Sequence, residues 1–281
     1  MNPAVRGSDM RIPRTFSLDA TFGCGQCFRF EKSEDGKWRA VARGKELCLY
    51  EEGEEIVFEN VSEAEFYKIW AEYFDLGYDY ETFWENACGD ETLLGIVRAC
   101  APAPGDALHI LRQEPFEALC SFLISQNNHI PRIRRIIRAL CEKFGAPLGE
   151  NAFAFPTAAA IASLSCEDLA PLRCGYRAQY LIDAAQQIEA GKIDLSLPEK
   201  APLAQGRAEL MKIFGVGPKV ADCVLLYGFH RMEAFPVDVW MRRATARFFP
   251  GRDTAGFGPY AGLAQQYIYA YSRMHPEIFA R

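Results

Sequence analysis

Between residues 26 and 60, apolar and polar positions alternate in four short runs: QCFRFEK, KWRAVAR, KELCLYE and EEIVFENV. The turn-prone EDG, RGK and EEGE separate them. A period of two, rich in aromatic and β-branched residues, predicts strands, and the short polar breaks predict an antiparallel meander. The period lengthens at SEAEFYKIWAEYF, where a serine in cap position precedes apolar residues at helical spacing. APAPGDA, residues 101–107, then interrupts the pattern. Beyond it the spacing is helical almost throughout: EPFEALCSFLISQ, IPRIRRIIRALCEKF, AQYLIDAAQQIEAG, AELMKIF, KVADCVLLYGF and VWMRRATARFF. Each is bounded by Gly, Pro or a capping residue. No repeat or low-complexity tract interrupts the chain. The pattern predicts an α+β protein, with a small antiparallel-sheet domain and flanking helices over 1–107 and a mostly α-helical domain over 108–281.

Composition narrows the class. Of the 281 residues 49% are hydrophobic and 13% aromatic, enough for a real core and too many for global disorder. No apolar run approaches the ~18 residues of a membrane span. The opening MNPAVRGSDMRIPRTFSLD lacks the apolar centre of a signal peptide. The ten cysteines are scattered, which fits a reduced compartment. These readings together predict a soluble intracellular protein. CGQC, from Cys24 to Cys27, has metal or redox spacing, but no second CxxC or His pair completes a zinc site. No cysteine follows Cys223, which excludes a C-terminal cysteine-ligated iron–sulfur cluster. The net charge of −6 argues at first against a polyanionic partner, yet it is unevenly distributed. Residues 1–100 carry 11 Lys+Arg against 20 Asp+Glu, and residues 101–281 carry 20 against 17. Arginines concentrate in HIPRIRRIIRALCEKFG and VWMRRATARFFPGR, local basic patches compatible with nucleic acid.

Candidate chemistry centres on LMKIFGVGPKVADC, which reads as helix, tight hairpin, helix. Gly215 and Gly217 permit a sharp turn and leave N–H groups uncovered beside a helix N-terminus. Such a hairpin grips a phosphate without side-chain charge; a plain corner between two helices explains the same glycines. Pro218 suits the first helical turn. Lys219 then stands where the helix dipole disfavours a cation. It is either a solvent-facing lysine or, if desolvated, an amine that loses its proton readily and attacks as a nucleophile. Asp238, in FPVDVW, is either a helix cap or a carboxylate aimed at developing positive charge. Capping and catalysis are compatible.

The hairpin, its lysine and the later Pro-Val-Asp resemble the signature of the helix-hairpin-helix (HhH-GPD) DNA glycosylases, and most of all the 8-oxoguanine DNA glycosylases/AP lyases. The resemblance runs from about residue 24 to residue 271 and rests on several segments in order. GQCFRF (25–30) is similar to the family's recognition loop, and LRQEPFEALCSFLISQNNHIPRI (111–133) to its arginine- and asparagine-bearing helix pair. GYRAQY (175–180) is similar to its DNA-wedge loop, and GPYAGLAQQYIY (258–269) to its closing helix. The resemblance implies that Lys219 is the nucleophile that attacks the sugar C1′ and that Asp238 stabilises the charged sugar. It implies that the Gly25 carbonyl accepts the N7–H found only on the oxidised purine, and that Gln265 reads the base's Watson–Crick edge. Cys223 and Tyr269 would sandwich the flipped base. Asn127, Arg132 and Arg177 would fill the gap and bond the orphaned cytosine, with Tyr176 as the wedge. The chain departs from the family pattern at Tyr269, where phenylalanine is usual, at Trp240, where many relatives have histidine, and at Phe30, a common tryptophan.

The implied activity is removal of 8-oxoguanine opposite cytosine from double-stranded DNA, followed by strand cleavage through a lysine Schiff base. It requires no cofactor. The hairpin carbonyls of Met211, Ile213 and Val216 match positions that hold an alkali cation in relatives. Cys223, four residues after Lys219, is the nearest candidate for accepting the lysine's proton. A monomer is expected, located with the nucleoid in a prokaryote or in the nucleus of a eukaryote. Two rival readings share the hairpin. A monofunctional alkylated-base glycosylase has no need of Lys219, and a non-catalytic hairpin DNA-binding protein leaves Lys219, Asp238 and Gln265 without a task.

Overall fold

Five strands form one antiparallel sheet in the computed structural model, which describes residues 9–279. They are β1 (Met10–Pro13), β2 (Phe30–Lys32), β3 (Trp38–Ala42), β4 (Lys45–Glu52) and β5 (Glu55–Phe58), in spatial order β1-β5-β4-β3-β2. The alternating runs are β2 to β5, and their register places Trp38 opposite Leu49 and Leu49 opposite Phe58. β1 was not legible in the alternation. It is a four-residue edge strand ending in Pro13, where a missing N–H costs no ladder bond.

Phe30, Trp38, Leu49, Ile56 and Phe58 bury one face of the sheet. Against it pack a short helix, Leu18–Gly23, and the segment capped by Ser62, whose hydroxyl accepts from Glu65 N–H at 3.2 Å. That segment is interrupted by a π-helical turn, Phe66–Trp70, between Glu63–Glu65 and Ala71–Tyr73. Phe66, Trp70, Tyr73 and Phe74 all enter the sheet core.

A second, larger core lies among the helices. Its axis is a pair of helices, Pro115–Ser125 and Pro218–Gly228, each carrying an unbroken buried run: Ala118 to Ile124 and Val220 to Tyr227. A helix buried on all sides belongs at the centre of a domain. A β-carbon on Gly228 would lie 3.0 Å from Pro115 Cα, so the two backbones meet closely there. Tyr80–Asn86 and Glu91–Cys100, which precede the 101–107 break, also bury residues in this larger core. The segment after the break joins the two cores, with Leu108 and Ile110 in the helical one and Leu111 in the sheet one.

Candidate active site

Helix Leu203–Leu210 ends, the chain turns, and helix Pro218–Gly228 begins with Pro218 in its first turn. Gly215 sits at φ +88°, and a β-carbon there would stand 2.5 Å from the Tyr180 ring, so both conformation and space demand glycine. At Gly217 an added β-carbon meets no protein atom within 4 Å. Its smoothness serves the open side of the hairpin. The turn is braced from the Arg177–Glu189 helix, where Asp183 Oδ2 accepts from Phe214 N–H at 3.1 Å.

Lys219, one residue into the new helix, is half-buried with its Nζ 5.1 Å from the centroid of the Phe122 ring. Its charge lies close to the Cys223 thiol, one turn on. Burial pushes the Cys223 thiol up to about 11, and the Lys219 charge only partly offsets this. A thiol so placed keeps its proton at neutral pH, so Cys223 is not the resting base that takes the proton from Lys219. Asp238 caps helix Val239–Phe248, its Oδ1 accepting from Met241 N–H at 2.8 Å. Its charge also raises the Cys223 thiol and the Tyr269 phenol, the latter already raised chiefly by burial. Lys219, Cys223, Asp238 and Tyr269 therefore share one neighbourhood, although three separate elements supply them.

The Cys24–Cys27 loop closes this neighbourhood. Gly25 has φ +82°, and a β-carbon on it would lie 3.8 Å from the Tyr269 ring. The loop is held from behind by a fully buried side chain, Gln26. Its Nε2 donates to the carbonyls of Thr21 (2.9 Å) and His109 (2.7 Å), and its Oε1 accepts from Leu111 N–H at 2.8 Å. Gln113 donates to the Gln26 carbonyl at 2.7 Å and takes its own backbone bond to Tyr227 at 3.0 Å. Cys24 and Cys27 are buried and form no disulfide, and burial pushes the Cys24 thiol up to about 11 and raises the Cys27 thiol well above its ordinary value. No cluster of three or more His, Cys, Asp or Glu that could hold a metal occurs among the described residues. Gln265, 4% exposed on helix Ala261–Met274, accepts a hydrogen bond from its neighbour Gln266 at 3.0 Å.

With this geometry in place, comparison with known proteins is informative. Residues 10–119 match the family model of the 8-oxoguanine DNA glycosylase N-terminal domain, and residues 120–256 that of the HhH-GPD superfamily base excision DNA repair proteins. A solved structure of MBOgg1 with a low-affinity DNA ligand is 36% identical. It superposes with a TM-score of 0.87 over 98% of this chain and 99% of that one. The chain belongs to the 8-oxoguanine DNA glycosylase family. An 8-oxoguanine glycosylase/lyase of Clostridium acetobutylicum, solved with double-stranded DNA carrying cytosine opposite 8-oxoG, is 34% identical with a TM-score of 0.85 over 94% of each chain. The N-glycosylase/DNA lyase of Saccharomyces cerevisiae is 37% identical over 165 residues, 53% of this chain and 44% of the yeast protein. The chain spans about half the length of the curated relatives it matches.

Of the remaining positions, Asn127, Arg132, Tyr176 and Arg177 gather in one ledge around the carbonyls of residues 126–127 and 173–174. Asn127 is exposed in a left-handed conformation (φ +45°), and Tyr176 is 53% exposed. Arg177, by contrast, is only 3% exposed, and its guanidinium is committed to backbone carbonyls. It donates to Gln126 at 2.9 Å, to Asn127 at 2.9 Å and to Cys174 at 3.2 Å, and lies 4.5 Å from the Tyr176 ring. Arg132 donates to the Arg173 carbonyl at 2.9 Å. Trp240 stands partly exposed on the first turn of the Asp238-capped helix. A cleft of about 920 Å³, lined by Arg29, Arg39, Glu46 and Arg138 among others, holds none of these positions.

Gln26, Gln113, Phe122, Tyr227 and Gln266 were not picked out from the sequence. Most of their partners lie far along the chain: Gln113 and Gln26 are 87 positions apart. The signal available in advance was a glutamine inside an otherwise apolar run, a polar group that a core tolerates only when paired.

Proposed function

We propose that this protein is a base-excision repair glycosylase and AP lyase that removes 8-oxoguanine opposite cytosine from duplex DNA. The observation that carries the reading is the convergence of Lys219, Cys223, Asp238, Tyr269 and the Gly25 loop at one place. A nucleophilic amine, a carboxylate, a ring and a backbone carbonyl are what extraction of a damaged base from a sugar requires. The protein grips the DNA backbone through the Gly215–Gly217 hairpin, and Trp240 adds a contact from the next helix. Tyr176 wedges the duplex, and Asn127, Arg132 and Arg177 meet the orphaned cytosine. The lesion rotates out to lie between Cys223 and Tyr269, with Gly25 reading N7–H and Gln265 the Watson–Crick edge.

Lys219, once unprotonated, attacks C1′. The N-glycosidic bond breaks as the C–N bond to lysine forms, and the base leaves with the bonding electrons. The Asp238 carboxylate stabilises positive charge as it builds on the sugar. Loss of the ring oxygen's bond to C1′ gives the Schiff base, and removal of a C2′ proton then expels the 3′ phosphate. The Phe122 face beneath Lys219 holds the side chain by cation–π attraction and orients it before attack. Lys219 favours this mechanism over a water-directed, monofunctional glycosylase.

The chemistry needs no cofactor. The carbonyls of Met211, Ile213 and Val216 offer the oxygen donors an alkali cation takes, and Ile213 retains a second lone pair beside its bond from Val216 N–H at 3.0 Å. Such an ion would stiffen the hairpin and take no part in bond breaking. Among the described residues no helix is long and apolar enough to cross a membrane, and an enzyme of this kind works where genomic DNA is. The test is a duplex with a single 8-oxoguanine opposite cytosine, incubated with and without borohydride. Base release and a reductant-trapped covalent complex are expected. Base release without trapping would favour the monofunctional reading, and neither would leave a DNA-binding protein.

A further inference from the structure

Gln265 is surrounded by a hydrogen-bond arrangement that its proposed role does not account for. Gln266, the next residue on the helix, is 2% exposed. Its Nε2 donates to Gln265 Oε1 at 3.0 Å and to the hydroxyl of Tyr227. Tyr227 is 3% exposed, on the same helix as Lys219, and stacked on Phe122 at 5.2 Å. Gln266 Oε1 is buried without a partner. Gln265 Nε2 makes no hydrogen bond to the described residues and is not among the buried unpartnered atoms.

We infer that Gln266, anchored by Tyr227, is a positioning residue that fixes which way the Gln265 carboxamide faces, and so sets which purine edge the pocket accepts. The inference rests on the proposed function, in which Gln265 meets the flipped base. A carboxamide offers a donor beside an acceptor. Turned one way it complements the O6 and N1–H of an oxidised guanine; turned the other way it complements the N6–H and N1 of an oxidised adenine. A freely turning amide would therefore serve both. Here Gln265 Oε1 has one lone pair held by Gln266, which leaves its second lone pair and both Nε2 protons for the base. Turning Gln265 alone would set one NH₂ against another. Turning both amides would strand the Gln266 NH₂ in the core, and a buried unpaired N–H is rarer than a carbonyl short of a donor. The orphaned Gln266 Oε1 is the smaller of the two costs, and it marks the preferred orientation.

Single-turnover excision of 8-oxoguanine and of 8-oxoadenine, each opposite cytosine, tests this in the wild type, Gln266→Met and Tyr227→Phe. Methionine keeps the shape of Gln266 and removes its donor; phenylalanine removes one hydroxyl. The ratio of the two rates is expected to fall about tenfold in Gln266→Met and roughly threefold in Tyr227→Phe. The fall should combine a slower 8-oxoguanine reaction with a faster 8-oxoadenine one. An equal loss on both bases would show a packing role, and an unchanged ratio would show a free amide; either overturns the inference. If Gln266→Met does not fold, Tyr227→Phe decides by the same ratio. A wild type that excises neither base overturns the proposed function itself, and this inference with it.

Discussion

Around Gly25 and Tyr269, the residues that would touch the base are held from behind. Gln26, Gln113, Tyr227 and Gln266 make the buried hydrogen bonds, and Gln265 keeps its NH₂ free. At Tyr176 and Arg177 the arrangement is reversed. There the side chains that would touch DNA make the hydrogen bonds themselves, and Arg177 spends its donors on Gln126, Asn127 and Cys174. Under the proposed function, the pocket would be built before DNA arrives, whereas the ledge would have to release internal bonds to engage the opposite strand. Preorganised groups lose little on binding. Groups that exchange one partner for another gain only the difference, which suits a site that discriminates between bases.

The largest effect expected on the pocket side is that of Lys219→Gln. The amide keeps the bulk and loses the nucleophile, so base release should drop by more than ~10³ while lesion DNA still binds. Single-turnover excision and a binding isotherm on the same duplex measure both, and near-wild-type release would remove Lys219 from the mechanism.

Gly25→Ala comes next. Alanine at φ +82° is strained, and its β-carbon at 3.8 Å from the Tyr269 ring narrows the gap a base must enter. In the free protein it clashes with nothing, so the fold should survive. Excision is expected to fall roughly a hundredfold, with affinity for an abasic-site duplex retained. Equal losses in both would make Gly25 a structural residue.

The anchor behind the loop has a pH signature. His109, whose carbonyl receives Gln26, is buried and stacks on Tyr80 at 3.9 Å; burial lowers it to about 4 despite its bond to the Phe74 carbonyl. The unfolded chain therefore binds a proton near pH 6.5 that the folded protein refuses until about pH 4. Stability from this group is complete above pH ~6.5 and is lost as the pH falls toward 4, by roughly 3 kcal/mol. Urea unfolding of wild type and His109→Gln between pH 7 and 4.5 should show the gap between them shrinking. A constant gap would place the titration elsewhere.

Smallest is the expected effect on the ledge. Arg132→Ala should reduce the preference for cytosine by about tenfold, the worth of one or two charged hydrogen bonds exchanged for others. Arg177→Ala should do the same and also lower the melting temperature, because it leaves the carbonyls of Gln126, Asn127 and Cys174 without their donor. A melting temperature unchanged from wild type would mean that these bonds stabilise nothing. An unchanged ranking of the four opposite bases would remove both arginines from that role.

Short-range patterns settled much of this protein in advance. Alternation sets β2 to β5, because a sheet with one buried face demands a period of two. Apolar spacing with Gly, Pro or Asp at the boundaries sets the Pro115–Ser125, Pro218–Gly228 and Val239–Phe248 helices, because caps and breakers act within one turn. Gly215, Lys219 and Asp238 were legible for the same reason: each is tied to a local helix boundary. The tertiary structure alone decided what stands around them. β1 lies outside the alternating runs and exists because β5 offers an edge. The π-helical turn at Phe66–Trp70 is a fit of four aromatic side chains to one sheet face. Phe122 beneath Lys219, Gln26 behind Gly25, and Gln266 between Tyr227 and Gln265 are each contacts or hydrogen bonds within a packed site. A hydrogen bond acts over about 3 Å whatever the distance along the chain, so no window of sequence contains it until the fold has brought its two ends together.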